Sequence, residues 1–180
     1  MNTEIEMKAW VESPERTREL ILRMGASLLR TYEKSDSYYA QTVPQAGNRD
    51  VRLRMDGDSA VVTMKDKTLH EGLETNSERE FTVSHPENFT FLLENSGYRL
   101  KITKHKEGEA YRFGEYLLEL SHVRDLGWFL EIERVIPGDA RPEQVEQSRT
   151  DIQKMFSTLE IPPSAVESRR YTQMLEERKG

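Results

Sequence analysis

The chain contains no cysteine, so no disulfide framework braces it and no thiolate is available to bind zinc. Any metal it holds must rest on oxygen or imidazole. Its apolar runs fall short of the ~18 residues a bilayer span requires, and its start, MNTEIEMK, lacks the basic and apolar regions of a secretory signal. A cytoplasmic protein with no membrane partner is expected. Only 7 prolines and 10 glycines punctuate 180 residues, and they form no cluster that would mark an internal linker. Basic residues are in the minority: 26 Lys and Arg against 32 Asp and Glu give a formal charge of −6, which argues against nucleic acid as a partner. Also absent are G-x-S-x-G, Walker A and G-x-G-x-x-G patterns, and the four histidines, His70, His85, His105 and His122, lack metal-ligand spacing.

What remains is a globular composition, 36% hydrophobic and 32% charged, in a length that favours one domain over residues 1–180. Helices are expected over Pro14–Met24, with Ser13 as N-cap and Gly25 past the end, and over Pro86–Asn95 after a cap at Ser84. Two more are expected in residues 142–178, from Pro142 to Leu159 and from Ser164 to Arg178, packing on a sheet. Alternating segments separated by turn residues predict about eight strands, with Gly108, Gly114 and Gly127 placed in turns. The pattern predicts an α+β fold, a closed or nearly closed eight-stranded antiparallel β-barrel flanked by helices.

Within the strands, one face is written in charge. In "EIEMKAW" the period of two puts Glu4, Glu6, Lys8 and Trp10 on one side and Ile5, Met7 and Ala9 on the other. The same alternation recurs at Arg52 and Arg54, at Lys65 and Lys67, at Arg79, at Lys104 and Lys106, at Glu119, and at Glu131 and Glu133. If the apolar faces pack on the helices, the charged ones line the barrel interior. Removing water from such groups costs several kcal/mol per ion, so a wet lumen holding a charged ligand is expected. Carboxylate pairs suit a hard divalent cation such as Mg²⁺ or Mn²⁺, and a ring of Arg and Lys suits a polyphosphate.

These residues, in this order, resemble the CYTH superfamily, the triphosphate tunnel metalloenzymes that include class IV adenylate cyclases and thiamine triphosphatases. The family's E-x-E-x-K is matched by Glu4-Ile5-Glu6-Met7-Lys8, its R-x-R by Arg52-Leu53-Arg54, its strand lysine by Lys65 and its next arginine by Arg79. Lys104-His105-Lys106 stands at a K-x-R position, and "LGWFLEIE" resembles the late segment that carries Glu131 and Glu133. The tail "SRRYTQMLEE" resembles the closing tyrosine-containing helix of the cyclase-like branch. Two positions depart from the family: Ser121 stands where an aspartate is usual, and Lys106 replaces an arginine.

The resemblance implies a triphosphate tunnel in which Glu4, Glu6, Glu131 and Glu133 ligate Mg²⁺ or Mn²⁺. It also implies that Lys8, Arg52, Arg54, Lys65, Arg79, Lys104 and Lys106 hold the triphosphate, with Lys8, Lys65 and Glu119 as catalytic groups. The implied reaction is conversion of ATP to cyclic AMP and pyrophosphate. Two alternatives stand beside it: a triphosphatase acting on thiamine triphosphate, inorganic triphosphate or a nucleotide, and a polyphosphate-binding module without catalysis. Relatives of the cyclase type are often dimeric, so a homodimer is the partner state the resemblance suggests.

Overall fold

The computed structural model describes residues 2–42, 51–70, 73–138 and 140–179, with side chains described except at 2, 3 and 65–78. The elements are β1 (Asn2–Trp10), α1 (Pro14–Arg23), β2 (Ser27–Gln41), β3 (Val51–Asp56), β4 (Ser59–His70), β5 (Leu73–Thr82) and α2 (Pro86–Asn95). They continue with β6 (Tyr98–Phe113), β7 (Tyr116–Val123), β8 (Gly127–Pro137), α3 (Pro142–Thr158), a 3-10 turn at Pro163–Ala165, β9 (Val166–Glu167) and α4 (Tyr171–Glu177). The nine strands form one sheet in the order β5-β4-β3-β2-β6-β7-β8-β1-β9. The α+β class therefore holds, with nine strands rather than eight. Its edges are β5 and β9, and among the described residues no ladder joins them, so the expected barrel is not closed by hydrogen bonds.

The chain divides into two compact units, Met1–Tyr32 with Lys106–Lys179, and Glu33–His105. In the first unit, Ile5, Ala9, Leu118, Leu120, Leu130 and Ile132 turn one sheet face toward Ile21 of α1 and Ile152, Met155 and Phe156 of α3. Each fully buried aliphatic side chain contributes ~1.5–3 kcal/mol. This packing fixes β1, β7 and β8 so that their alternate residues, the charged ones, face the other way. In the second unit, Tyr39, Val51, Leu53, Ala60 and Val62 pack against Leu93 and Phe89 of α2. Arg52 and Arg54 are thereby turned to the opposite face.

Local expectations failed where a long-range contact decides. Gly108 lies in the middle of β6, which runs unbroken where two strands and a turn were expected. A Cβ there would collide with the Leu120 carbonyl oxygen and come within 2.7 Å of Ser121 Cα, so the glycine marks a close approach of β6 and β7. The expected helix from Ser164 is instead a 3-10 turn, the short β9 and a seven-residue α4, because Val166 and Glu167 pair with Ala9 and Lys8. The residue capping α2 is His85 rather than Ser84. Ser13 does sit at the N-cap of α1, but through its carbonyl, which accepts from Thr17 N at 3.0 Å, and not through its hydroxyl.

Candidate functional site

In the first unit, β1 and β8 run antiparallel with Glu6 opposite Glu133 and Lys8 opposite Glu131. Carboxylate oxygens of Glu4, Glu6 and Glu133 lie within 4.8 Å of one another. Such crowding disfavours three simultaneous charges. Glu6 is exposed as a residue, yet desolvation by the protein around it, followed by the charge of Glu131, pushes its carboxyl up to about 8. Glu133 is likewise raised to about 8, by burial and then by a hydrogen bond with Glu4. The donor set is all oxygen, which fits a hard divalent cation and excludes a thiolate or imidazole site.

Glu131, expected with these three, lies in side-chain contact with Glu6 and also meets a cation. Lys106, only 5% exposed, directs its ammonium between Glu131 and Glu119, with Glu119 Oε2 at 2.6 Å. Burial alone would lower this lysine, but the two carboxylates hold it well above its ordinary value. Two rings flank it: the Tyr32 and Tyr171 centroids lie 5.8 and 6.0 Å from its Nζ. Lys8 Nζ lies 5.2 Å from the Tyr171 centroid. Tyr171 is brought there by the chain's end, where β9 pairs with β1 and α4 begins, and its ring meets Phe129 edge-on at 4.9 Å. Glu167 fastens this segment, accepting from Trp10 Nε1 at 3.2 Å and from Arg169 at 2.6–3.0 Å. Hydrogen bonds from Arg169 lower the Glu167 carboxyl to about 2.

The second unit gathers a set that is mostly basic. Asp36 of β2 stands opposite Arg54 of β3 and is fully buried. Arg54 Nε and Nη2 donate to its two oxygens at 2.7 and 2.9 Å, and Lys104 Nζ lies 2.9 Å from Oδ2. Burial by itself would raise this carboxyl, but the Arg54 hydrogen bonds and the charges of Lys104 and Arg54 hold it well below the usual carboxylate range. Arg52, opposite Thr63, donates from Nη2 to the Thr63 hydroxyl at 2.9 Å and meets Glu80 at 3.4 Å. Thr63 in turn donates to Glu80 at 2.7 Å.

Of the residues expected at a site, Glu4, Glu6 and Glu133 come together, with Glu131 against Glu6; Lys106 joins Glu119 and Glu131; Arg54 and Lys104 share Asp36. The Lys65 side chain lies outside the described residues. Arg79 lies off the expected face: its partner is Met64, so it shares the side of Val62 and Phe81, while Glu80 faces Arg52 and Thr63. Asp36, Lys34, Thr63, Glu80 and Tyr171 were not singled out from sequence. For the first two the signal was present, since Tyr32, Lys34 and Asp36 repeat in β2 the alternation that singled out β1, and all three are buried.

No family model and no curated protein matches the chain. Solved structures do. The PH1012 protein of Pyrococcus horikoshii is 26% identical, with a TM-score of 0.77 over 94% of this chain and 98% of that one. A candidate adenylate cyclase of Vibrio parahaemolyticus is 19% identical, with a TM-score of 0.78 over 97% and 98%. The chain has the CYTH fold. Also similar is the candidate adenylyl cyclase HpAC1 of Hippeastrum, described by its dominant triphosphatase activity, at 18% identity and a TM-score of 0.67 over 100% and 96%. Among the described residues of this CYTH-fold chain, no helix is long and apolar enough to cross a membrane.

Proposed function

We propose that the chain is a divalent-cation-dependent enzyme acting on a triphosphate, with Mg²⁺ or Mn²⁺ held by Glu4, Glu6 and Glu133. The observation that carries this reading is the convergence of those three carboxylates from β1 and β8 on one face of the sheet, where their own repulsion opposes the arrangement unless positive charge is supplied. A bound cation would neutralise charge developing on phosphate oxygens. Lys8, Arg52, Arg54, Lys104 and, by strand position, Lys65 are assigned to the phosphates. Arg79 is left out of this set because of its register. Glu119 and Glu131 serve in this reading as the seat of Lys106.

The reaction assigned first is of the class IV adenylate cyclase type: the ribose 3′-hydroxyl of ATP attacks the α-phosphorus and pyrophosphate leaves. A second reading, water attacking the terminal phosphorus of a triphosphate, is favoured by the activity of the Hippeastrum protein and by Ser121, which offers a hydroxyl where a carboxylate was expected.

The test is to incubate the chain with ATP, thiamine triphosphate or inorganic triphosphate and Mg²⁺ or Mn²⁺, then measure cyclic AMP, pyrophosphate and phosphate. Cyclic AMP with pyrophosphate supports the first reaction, and phosphate alone supports the second. Binding without turnover would leave a binding module, and neither binding nor cation-dependent turnover of any triphosphate would overturn the reading.

A further inference from the structure

On the charged face of the first unit, Glu119 of β7 stands directly opposite Glu131 of β8. Residues so placed have Cβ atoms about 4.5–5.5 Å apart, and two carboxylates at that spacing repel unless a cation lies between them. Here the cation belongs to the chain. Lys106 starts from β6 at the position paired with Val123, whereas the residue across from Glu119 is Ala110. Its side chain therefore runs along the strands before the ammonium meets Glu119 Oε2 at 2.6 Å and Glu131 Oε2. By the period of two, the step between them on this face is Gly108 opposite Ser121, so no bulky side chain stands in the way.

The space around this ammonium suits a bare monovalent ion better than a hydrated divalent one. Mg²⁺ dehydrates reluctantly and keeps several waters, whereas Lys106 is almost fully buried and lies over the rings of Tyr32 and Tyr171. Aromatic faces attract an ammonium but present no lone pair to a metal. Glu131 links the lysine to the three clustered carboxylates, since it also hydrogen-bonds Glu6. In two-metal centres the ions lie about 3.5–4 Å apart, and a carboxylate that reaches both sides, as Glu131 does, is the group that would bridge them. A divalent ion between Glu119 and Glu131 would have to displace a tethered cation, or stand beside it and pay the repulsion of two buried positive charges.

We infer that Lys106 is a resident cation: it takes the place a second divalent ion would have beside Glu131, so that the chain binds one Mg²⁺ or Mn²⁺, at Glu4, Glu6 and Glu133. This inference rests on the cation-dependent reading above. Glu119 and Glu131 then hold a positive charge that no chelator removes, next to one that a chelator does.

The experiment titrates Mn²⁺ alone into the chain, with calorimetry giving the stoichiometry and the paramagnetic resonance signal of hydrated Mn²⁺ giving the free ion. The unaltered chain should bind one Mn²⁺. Two would overturn the inference and leave the cation-dependent reading in place, whereas none would overturn that reading and this inference with it. Glu119→Gln should keep one site with an affinity within about threefold of the unaltered chain, because Glu119 serves the lysine; a loss of about tenfold or more would make it a metal ligand and overturn the inference. Lys106→Ala removes the ammonium and opens room for water, so it should take up a second Mn²⁺, and added Mn²⁺ should raise its melting temperature more than that of the unaltered chain. Adding Glu119→Gln to Lys106→Ala should return the count to one. A merely structural lysine would lower the melting temperature without changing the count, so a folded Lys106→Ala that binds a single Mn²⁺ would overturn the inference. If Lys106→Ala does not fold, the count in the unaltered chain and the Glu119→Gln affinity decide.

Discussion

The ammonium of Lys106 sits 2.6 Å from the carboxylate of Glu119, and both atoms belong to side chains with at most 15% of their surface exposed. A buried cation with two carboxylate partners is costly to break, because removing it leaves two buried anions beside the already crowded Glu6. Lys106→Met should therefore destabilise the chain by about 3–5 kcal/mol near neutral pH. Urea unfolding of both proteins at pH 7.5 checks this, and equal stability of the two would contradict it.

Asp36 sets a pH dependence. Its folded-state carboxyl lies well below its value in the unfolded chain, near 3.9. The stability it contributes is fully present above that unfolded value and is lost as pH falls through the folded value. Acidification from pH 5 to pH 2 should thus cost the unaltered chain more than Asp36→Asn, which has no charge to lose. Thermal melts across that range give the comparison.

How much of this was readable beforehand depends on whether a residue answers to its own strand or to another one. The alternation of Glu4, Glu6 and Lys8 against Ile5, Met7 and Ala9 is local, and β1 obeys it because Ile5 and Ala9 are needed in the core. Arg79 obeys a pairing instead. Its side is set by the bridge to Met64, which no feature of "SEREFTV" announces. Gly108 signals either a turn or a close approach, and only the position of Leu120 decides between them. The tail carried a helix-like composition, but Val166 and Glu167 are captured by β1. Asp36 was legible in principle, since the period-two pattern runs through β2; what was missing was a reason to choose a face, and burial of Tyr32 and Lys34 supplies it.

Gly108 carries a sharp steric prediction. Alanine would place its Cβ against the Leu120 carbonyl and 2.7 Å from Ser121 Cα, both backbone, so that β6 and β7 must move apart. Overpacking of this sort costs about 1–3 kcal/mol, and the loss should appear as a lowered melting temperature in Gly108→Ala. Amide exchange should quicken at Gly108 and Ser121, which face each other in the ladder.

If Glu4, Glu6 and Glu133 hold a divalent cation, neutralising one of them removes both a donor and a charge. Glu6→Gln should weaken Mn²⁺ binding at least tenfold, about 1.4 kcal/mol. A chelator should abolish turnover in the unaltered chain, with recovery on adding Mg²⁺ or Mn²⁺. Titration calorimetry with Mn²⁺ alone reads the first effect independently of any substrate. Glu160→Gln, an exposed carboxylate paired with Arg16 and remote in sequence from the cluster, is the control that should leave binding unchanged.

Tyr171 ties the end of the chain to the strand face that carries the carboxylates. Its ring meets Phe129 edge-on at 4.9 Å and lies under Lys8 Nζ at 5.2 Å, while Met174 and Leu175 add the remaining buried surface of α4. Seven residues are too few for a helix to stand alone, so α4 depends on these contacts. Tyr171→Ala should release α4 locally before the rest unfolds, exposing the bonds after Arg169 and Arg170 to trypsin, whereas Tyr171→Phe keeps the ring and should stay resistant. Glu167 offers an independent handle. Because Arg169 holds its carboxyl near 2, Glu167→Gln should loosen the same segment at neutral pH by weakening the Trp10 and Arg169 contacts. Trypsin sensitivity that rises in Tyr171→Ala and Glu167→Gln but not in Tyr171→Phe would place the latch in the ring and the carboxylate together. Equal sensitivity in all three would place it elsewhere.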